Sequence, residues 1–473
     1  MVDGRALTAQ FEDAADFETR KVLCGGQLLT VLFLDGLTSG RDIAEQVLRP
    51  LAQMTDEARE EVLYTRALQG GVWCASVKEP ESTQQAAELL VNGFCVILFP
   101  KSGKALGCEV KTGEKRSPSP PETENTVKGA KDAFTETLRT NTSLVRRHLR
   151  TPGLRLTETV VGKRTLTKVT VCWIDRLTDP ELPRRMQERL SSIDIDGALS
   201  PAAIEEYVTG SQRTAFPLLE YTERTDHFCQ GLLDGQVGLL ADGLPLGYLA
   251  PVGLGRLMRS PEDRATDFFS ASMLRLLRYA ALGVSLLLPA LYAAMAMFHQ
   301  QMLPTKLLLS IIESKQNVPF STLLEVLGLL CAFELLQQAG LHLPQAVGTA
   351  VSIIGGLVVG TAAVDAKLVS PAALIVTASS GICGFTLPNR ELSDAVRLWR
   401  FVLTVLAGLW GLFGVTVGLL LLLTELAGLE SLGRSYLSPF GRAEVKGALV
   451  RPRLVRQKWR DGALKPMDDQ NQR

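Results

Sequence analysis

The chain has 473 residues, with 50 lysines and arginines against 50 acidic residues, so its formal net charge is zero. We expect no nucleic-acid partner. The length allows two or three domains. Nearly all charge lies before residue 278 or after residue 425, which indicates two chemically different parts of the chain.

The first part begins with a polar, acidic segment at residues 1–21, which resembles neither a signal peptide nor a transit peptide. We therefore expect the roughly 270 residues before the first membrane helix to stay in the cytoplasm.

The sequence lacks common catalytic and nucleotide-binding motifs: it has no GxSxG, GxGxxG or GxxxxGK[ST] motif. Its eight cysteines and four histidines lack metal-ligand spacing. We expect no enzyme activity, no metal and no cofactor.

Two segments of this first part repeat. "VLFLDGLT" at 31–38 resembles "VCWIDRLT" at 171–178, and "LVNGFCVIL" at 90–98 resembles "LLDGQVGLL" at 232–240. The nearly constant offset, 140 and 142 residues, indicates an internal duplication. In each copy an apolar, strand-like run is followed by a helix-like run and later by a turn and another strand. The sequence therefore predicts two duplicated α/β subdomains.

A linker and a basic helix lie between the copies. The Pro- and Ser-containing segment 112–129 reads as an exposed linker. Residues 131–150 are predicted to form a polar helix that ends with Arg146, Arg147 and Arg150. Cations at the end of a helix suit its dipole. They would equally suit contact with a partner protein or anionic lipid, and both interpretations are open.

The second part carries uncharged stretches at 279–305, 335–364, 368–389 and 401–424. A helix that crosses a bilayer needs roughly 20 apolar residues, so these stretches predict an α-helical transmembrane domain. The predicted organisation is an α/β N-terminal part followed by this helical domain and a tail. Its boundaries are 1–111, 112–129, 130–270, 271–428 and 429–473.

One predicted membrane helix carries small residues at every fourth position, which places them on one face. Small residues allow helices to approach closely in lipid. The face either packs against another helix or lines a narrow path around an oligomer axis. It consists of Gly348, Thr349, Ser352, Gly356, Gly360 and Ala363.

The segment 320–339 is ambiguous. Thr322 and Glu325 have the spacing of a capping box. Glu334 is a carboxylate in an otherwise apolar turn, and such residues inside a membrane usually face protein or water. If the segment lies in the membrane interface, Glu334 is merely solvated.

The tail after Glu425 has ten basic and five acidic residues, which predicts a cytoplasmic position. With both ends on one side, the number of crossings is even. We predict four crossings at 277–298, 345–364, 369–387 and 401–424, with 320–339 in the interface. This arrangement puts Arg390, Arg397 and Arg400 on the outer side, against the positive-inside tendency. A fifth crossing at 320–339 corrects that but places the tail outside, so both counts are open.

Several longer motifs resemble the GerA family, the A subunits of bacterial spore germinant receptors, with the stage V sporulation A F protein as a close relative. They are "AFTETLRTNTSLVRRHL", "YTERTDHF", "SPEDRATDFF", "LRLLRYAALGVSLLLPALYAA", "AVSIIGGLVVGTAAVDAKLVSP" and "FTLPN", in the family's order. The resemblance implies a multi-pass protein of the spore inner membrane. It also implies that the chain acts together with a transporter-like B subunit and a lipoprotein C subunit. It further implies that the chain forms a homo-oligomer, a pentamer, that conducts ions. A non-conducting scaffold that clusters receptors or a dipicolinate channel is the alternative.

Overall fold

The computed structural model describes most of the chain. The residues outside it are 1, 55–58, 112–120, 122–123, 125–127, 211–212, 343–359, 439–446, 448, 454, 456–458, 461 and 471–473.

Two five-stranded antiparallel sheets form the N-terminal part, and their strand orders are equivalent: β1-β2-β4-β5-β3 and β6-β7-β9-β10-β8. The duplication and the α/β fold predicted from the sequence are confirmed. The strands of the first sheet are β1 Phe17–Cys24, β2 Gln27–Leu34, β3 Val77–Lys78, β4 Phe94–Phe99 and β5 Lys104–Glu109. Those of the second are β6 Leu154–Val161, β7 Thr167–Ile174, β8 Glu220–Thr222, β9 Val237–Ala241 and β10 Gly247–Ala250.

Helices cover both faces of these sheets, which explains why the central strands are apolar on both sides. In β4, Cys95 and Ile97 pack into one core cluster, whereas Val96 and Leu98 pack into another. Successive side chains of a strand point to opposite faces, so both faces are buried. The helices are α1 Gly4–Ala9, α2 Gly40–Asp42, α3 Arg49–Gln53, α4 Glu60–Arg66, α5 Thr83–Val91, α6 Leu138–His148, α7 Glu181–Ser191, α8 Pro201–Thr209, α9 Thr225–Leu233, α10 Leu254–Leu257 and α11 Glu262–Ala265. Two π-helical segments, Ile43–Leu48 and Ala67–Gly71, continue α2 and α4.

The basic helix is shorter than predicted and begins at Leu138 instead of residue 131. The preceding residues are held in an extended form by other contacts. The Asn141 side chain binds the backbone N–H and C=O of Thr135 at 2.8 and 2.6 Å. Ala133 pairs with Arg224 of the second subdomain. These contacts compete successfully with helix formation.

Arg146 of this helix connects the two subdomains. Its guanidinium donates two hydrogen bonds of 2.7 Å to the carboxylate of Asp16, and one of 3.1 Å to the carbonyl of Leu154. The Arg146 and Asp16 side chains are 1% and 2% exposed. The prediction that Arg146 contacts a partner or lipid is therefore wrong, because its charge is neutralised inside the protein.

A second ion pair at the same helix predicts a pH dependence of stability. His148 Nε2 lies 2.7 Å from Asp132 Oδ2, and this hydrogen bond raises the pKa of His148 above its ordinary 6.5. The same bond lowers the pKa of Asp132 to about 2. The His148 contribution is therefore complete below pH 6.5 and lost as pH rises through the raised pKa. The Asp132 contribution is present above pH 3.8 and lost as pH falls towards about 2.

We expect His148→Gln to remove the part of the stability that disappears above pH 6.5. Between pH 6 and pH 8, the urea concentration at the midpoint of unfolding should fall more for the parent than for the variant. Equal falls in parent and variant would contradict the assignment.

The helical part contains α12 Phe268–Met297, α13 Thr305–Lys315, α14 Thr322–His342, α15 Gly360–Asp365, α16 Pro371–Phe385 and α17 Arg390–Gly428. Within the described residues, three helices are long and apolar enough to cross a membrane: α12, residues Thr322–Gly340 of α14, and α17. The predicted crossing at 369–387 corresponds to α16, a shorter apolar helix of 15 residues. Asp267 caps α12 by accepting the N–H groups of Phe269 and Ser270.

The last of these helices is not one straight crossing, as the sequence predicted, but a helical hairpin. Gly411, with φ 61° and ψ −141°, interrupts the helix and reverses the chain. A Cβ atom at Gly418 would overlap the side chain of Leu403. In a straight helix these two residues would lie about 22 Å apart, at 1.5 Å per residue. We name Arg390–Gly428 the C-terminal hairpin, and residues 390–410 and 412–428 its two arms.

Both ends of the C-terminal hairpin lie at the second subdomain. Thr214 Oγ1, from the loop before β8, donates a 2.7 Å hydrogen bond to Glu425 near the end of the second arm. The tip at Gly411 lies instead against Phe298 and His299, just beyond the far end of α12. Arg390 and Arg397 therefore lie on the half of the first arm that is nearer the α/β part, and Arg400 lies near the middle of that arm.

The tail also folds onto the second subdomain. Ser431 Oγ donates to the carbonyl of Leu218 at 2.6 Å and accepts the N–H of Val252 at 3.0 Å. The Met467 N–H donates to the carbonyl of Leu177 at 2.8 Å. A short hairpin of β11 Glu430–Ser431 and β12 Arg434–Ser435 begins this docked segment. The tail and the start of the helical part thus lie on the same side.

Candidate functional site in the helical region

The predicted small-residue face lies mostly outside the described residues. This holds for Gly348, Thr349, Ser352 and Gly356, so their role stays a prediction. Gly360 and Ala363 belong to α15. A Cβ atom at Gly360 would lie 3.5 Å from Leu374, which is ordinary contact and requires no glycine.

Glu334 of α14 has a specific partner. Its Oε1 accepts a 2.7 Å hydrogen bond from Nη1 of Arg397, on the first arm of the C-terminal hairpin. Arg397 also contacts Asp394, one helical turn earlier on the same arm. The Glu334 and Arg397 side chains are 30% and 11% exposed. Glu334 is therefore part of a contact between helices and not only a solvated interfacial residue.

A second arginine lies one turn further along the arm, and it is completely buried. Arg400 is 0% exposed, and its Nη1 donates to Ser380 Oγ of α16 at 3.2 Å. Ser380 in turn donates to the carbonyl of Ser285 in α12 at 2.7 Å. The chain Arg400–Ser380–Ser285 thus connects three apolar helices through polar groups.

Several buried polar atoms at this place have no hydrogen-bond partner among the described residues. They are Arg400 Nε and Nη2, Arg397 Nε, Glu334 Oε2, Gln337 Oε1 and Ser285 Oγ. A buried donor or acceptor without a partner costs about 1–3 kcal/mol, and more when it is charged. We call Ser285, Glu334, Gln337, Ser380, Arg397 and Arg400 the polar cluster. Its unsatisfied donors and acceptors can form hydrogen bonds with water or another small polar group.

Glu325 does not form the capping box that its spacing from Thr322 predicted. Its side chain is buried, where it accepts the backbone N–H of Ser370 and lies 3.6 Å from Lys315 Nζ. Ser321 precedes the helix instead, with its Oγ accepting the Leu324 N–H at 3.4 Å. The carboxylate thus joins α14 to the start of α16.

Of the basic residues predicted for contact with a partner or lipid, Arg147 and Arg150 are exposed, in contrast to Arg146. Arg147 and Arg150 remain predicted contact residues. The sequence analysis placed Arg397 and Arg400 beside the last crossing but did not identify them, or Ser380, as functional residues. The two arginines are three residues apart, a spacing that puts them on one helix face, and they directly precede an uncharged run. That spacing is the signal that could have revealed them.

Comparison with known proteins gives a consistent assignment. The family model described as Bacillus/Clostridium GerA spore germination protein matches residues 5–466. The membrane protein YfkQ of Bacillus subtilis (strain 168), described as uncharacterized, is 36% identical over 94% of this chain and 87% of its own length. Spore germination protein KA of the same organism is 34% identical, over 93% of this chain and 81% of its own. Spore germination protein GerLA of Bacillus cereus is 32% identical, over 91% and 88%.

Among solved structures, the N-terminal domain of the A subunit of the Bacillus megaterium spore germinant receptor GerK3 is similar to this chain. It has a TM-score of 0.40 and 23% identity, and the match covers 52% of this chain and 92% of that one. The resemblance predicted from the sequence motifs is confirmed by the family match over nearly the whole length. The chain belongs to the Bacillus/Clostridium GerA family of spore germination proteins.

Proposed function

We propose that this chain is the A subunit of a nutrient germinant receptor in the spore inner membrane, where it oligomerises and passes cations when germination begins. The names of its relatives support a role in germination. The observation that carries the channel mechanism is Arg400, a charge enclosed by apolar helices without an ion-pair partner among the described residues. Ionisable residues in such places usually belong to a path for ions or substrate.

An alternative structural role for Arg400 is weaker on energetic grounds. Replacing a buried ion pair by apolar residues of similar volume is often neutral or stabilising. A buried arginine that lacks a carboxylate partner has even less to contribute to stability. Its function is therefore better sought in what it can bind, and water or an anion accompanying the permeant cation suits its two unpaired nitrogens, Nε and Nη2.

The orientation we propose places the α/β part and the tail in the cytoplasm. Both lie on the same side of the helices, and ten basic residues follow Glu425. Basic segments beside a membrane helix favour the cytoplasmic side. The exposed Arg147 and Arg150 remain available for a partner, for which the transporter-like B subunit and the lipoprotein C subunit are our candidates. For the oligomer we propose a pentamer.

The predicted small-residue face offers a direct test. We expect Gly356→Leu to impair either assembly or cation release, because overpacking at a close helix contact costs about 1–3 kcal/mol and recurs in every subunit. Val358→Leu, on the opposite face of the predicted helix, is the matched control and should behave like the parent. The measurements are protein level in spores, oligomer size and nutrient-triggered potassium release.

The outcomes separate the alternatives. Loss of the oligomer in Gly356→Leu alone supports a packing face, whereas a retained oligomer without release supports a pore. Normal release in both variants would contradict the channel and favour a scaffold that clusters other germination proteins.

A further inference from the structure

A cavity of about 860 Å³ lies where the second subdomain meets the base of the C-terminal hairpin. Its walls come from α8, the loop before β8, two strands of the second sheet and the start of α17. Binding sites for small molecules typically measure about 300–1,000 Å³. The cavity is distinct from the polar cluster, and none of the motifs that led to the family assignment required it.

The charge in this cavity is strongly one-sided. Glu205 and Glu206 of α8 line it, together with Glu391 of the hairpin, and none of the three forms an ion pair with a described residue. A fourth carboxylate in the wall, Asp394, is already paired with Arg397. Arg213 is the basic residue of the lining. Three acidic side chains without an ion pair thus line the cavity, against one basic side chain.

A buried hydroxyl next to Glu205 is the second observation that points to a ligand. Tyr248 of β10 lines the cavity and is 1% exposed. Burial and the nearby Glu205 carboxylate raise the pKa of its phenol. Yet the hydroxyl forms no hydrogen bond of ordinary geometry with a described residue. Buried tyrosine hydroxyls normally find a partner, so a bound molecule would complete the contact.

The residues that line the cavity favour an organic cation over an inorganic one. Within the described residues no three His, Cys, Asp or Glu side chains are grouped as metal ligands. The wall contains instead aromatic rings, namely Phe216, Tyr207, Tyr221 and Tyr248. Aromatic faces attract ammonium groups, and the attraction is stronger when the site is desolvated. Dispersed carboxylates with aromatic rings suit an extended organic cation better than a compact metal ion.

We propose that this cavity binds a small organic ammonium compound, held by Glu205 and Glu391 and completed by the Tyr248 hydroxyl. Because Glu205 belongs to the second subdomain and Glu391 to the hairpin, such a ligand joins the α/β part to the helical part. The proposal does not depend on ion conduction through the helices.

The test is calorimetric titration of the full-length protein, purified in detergent, with tetraethylammonium chloride at constant ionic strength. Parallel titrations use potassium chloride and calcium chloride. We expect saturable binding of tetraethylammonium, weakened about tenfold or more by the double change Glu205→Gln and Glu391→Gln. Glu188→Gln, at an exposed position of α7, makes the same chemical change outside the cavity and should leave the affinity unchanged.

Tyr248→Phe provides a second variant that keeps the shape of the core. Tetraethylammonium has no group that accepts a hydrogen bond, so this variant should bind it like the parent but bind ethanolamine, whose hydroxyl can accept one, more weakly. Three results would overturn the proposal: no saturable binding of tetraethylammonium, equal weakening by Glu188→Gln, or potassium or calcium ions competing at equal concentration. Thermal unfolding of each variant distinguishes loss of the site from loss of the fold.

Discussion

Replacing Gly414 by alanine is expected to prevent the C-terminal hairpin from closing. The two arms approach so closely that a Cβ atom at Gly414 would overlap the carbonyl oxygen of Leu406. The obstacle is backbone, which cannot move aside as a flexible side chain can. Overpacking of a well-packed core commonly costs about 1–3 kcal/mol, and occasionally more. We place this backbone collision at the upper end of that range.

Gly283→Ala is the matched control, because a Cβ atom at Gly283 of α12 meets nothing within 4 Å. Alanine also favours helix by about 1 kcal/mol over glycine, so this variant should be as stable as the parent or more so. The measurement is the amount of folded protein in detergent and its melting temperature. If Gly414→Ala and Gly283→Ala have the same melting temperature, the reversal of the chain at Gly411 is wrong.

The second large effect concerns the buried ion pair between the subdomains. Arg146→Leu is expected to destabilise residues 1–270 by about 3–5 kcal/mol, since it leaves the Asp16 carboxylate buried without its partner. Arg147→Leu, at the next position but exposed, should change stability by less than about 0.5 kcal/mol. Urea unfolding of residues 1–270, a fragment that we expect to fold alone, gives both values.

The double change Asp16→Leu and Arg146→Leu sharpens this prediction. Apolar replacement of both members of a buried pair is often neutral or stabilising. The double variant should therefore recover much of the loss. Additive losses in the double variant would show that Arg146 acts through its other contact, the carbonyl of Leu154 at 3.1 Å.

The N-terminal fold could be predicted from the sequence because it rests on local patterns that occur twice. The repeated runs around Asp35 and Asp175 mark the ends of β2 and β7, which occupy equivalent places in the two sheets. Strand pattern and turn residues are properties of short segments. The domain boundaries drawn from the same patterns stay predictions.

The helical part was predicted less well, because its decisive features depend on contacts distant in sequence. The run 401–424 has the length of one crossing, and nothing in its composition distinguishes a straight helix from a reversal at Gly411. Excluding charged residues from that crossing also hid Arg400, whose place is set by Ser380, 20 residues away. Likewise, the sequence around Arg146 indicates only a basic helix end, because its partner Asp16 lies 130 residues away in the chain.

The most direct measurement of the central claim is potassium release from spores in the first minutes after nutrients are added. It compares the parent chain, its deletion, Arg400→Met and Arg164→Met, where Arg164 is an arginine 82% exposed in the second subdomain. Methionine keeps much of the side-chain length and removes an unpaired buried charge, so the Arg400 variant should accumulate normally. We predict that deletion and Arg400→Met abolish release whereas Arg164→Met leaves it unchanged. Release at the parental rate from Arg400→Met spores that contain normal amounts of the protein would contradict the account.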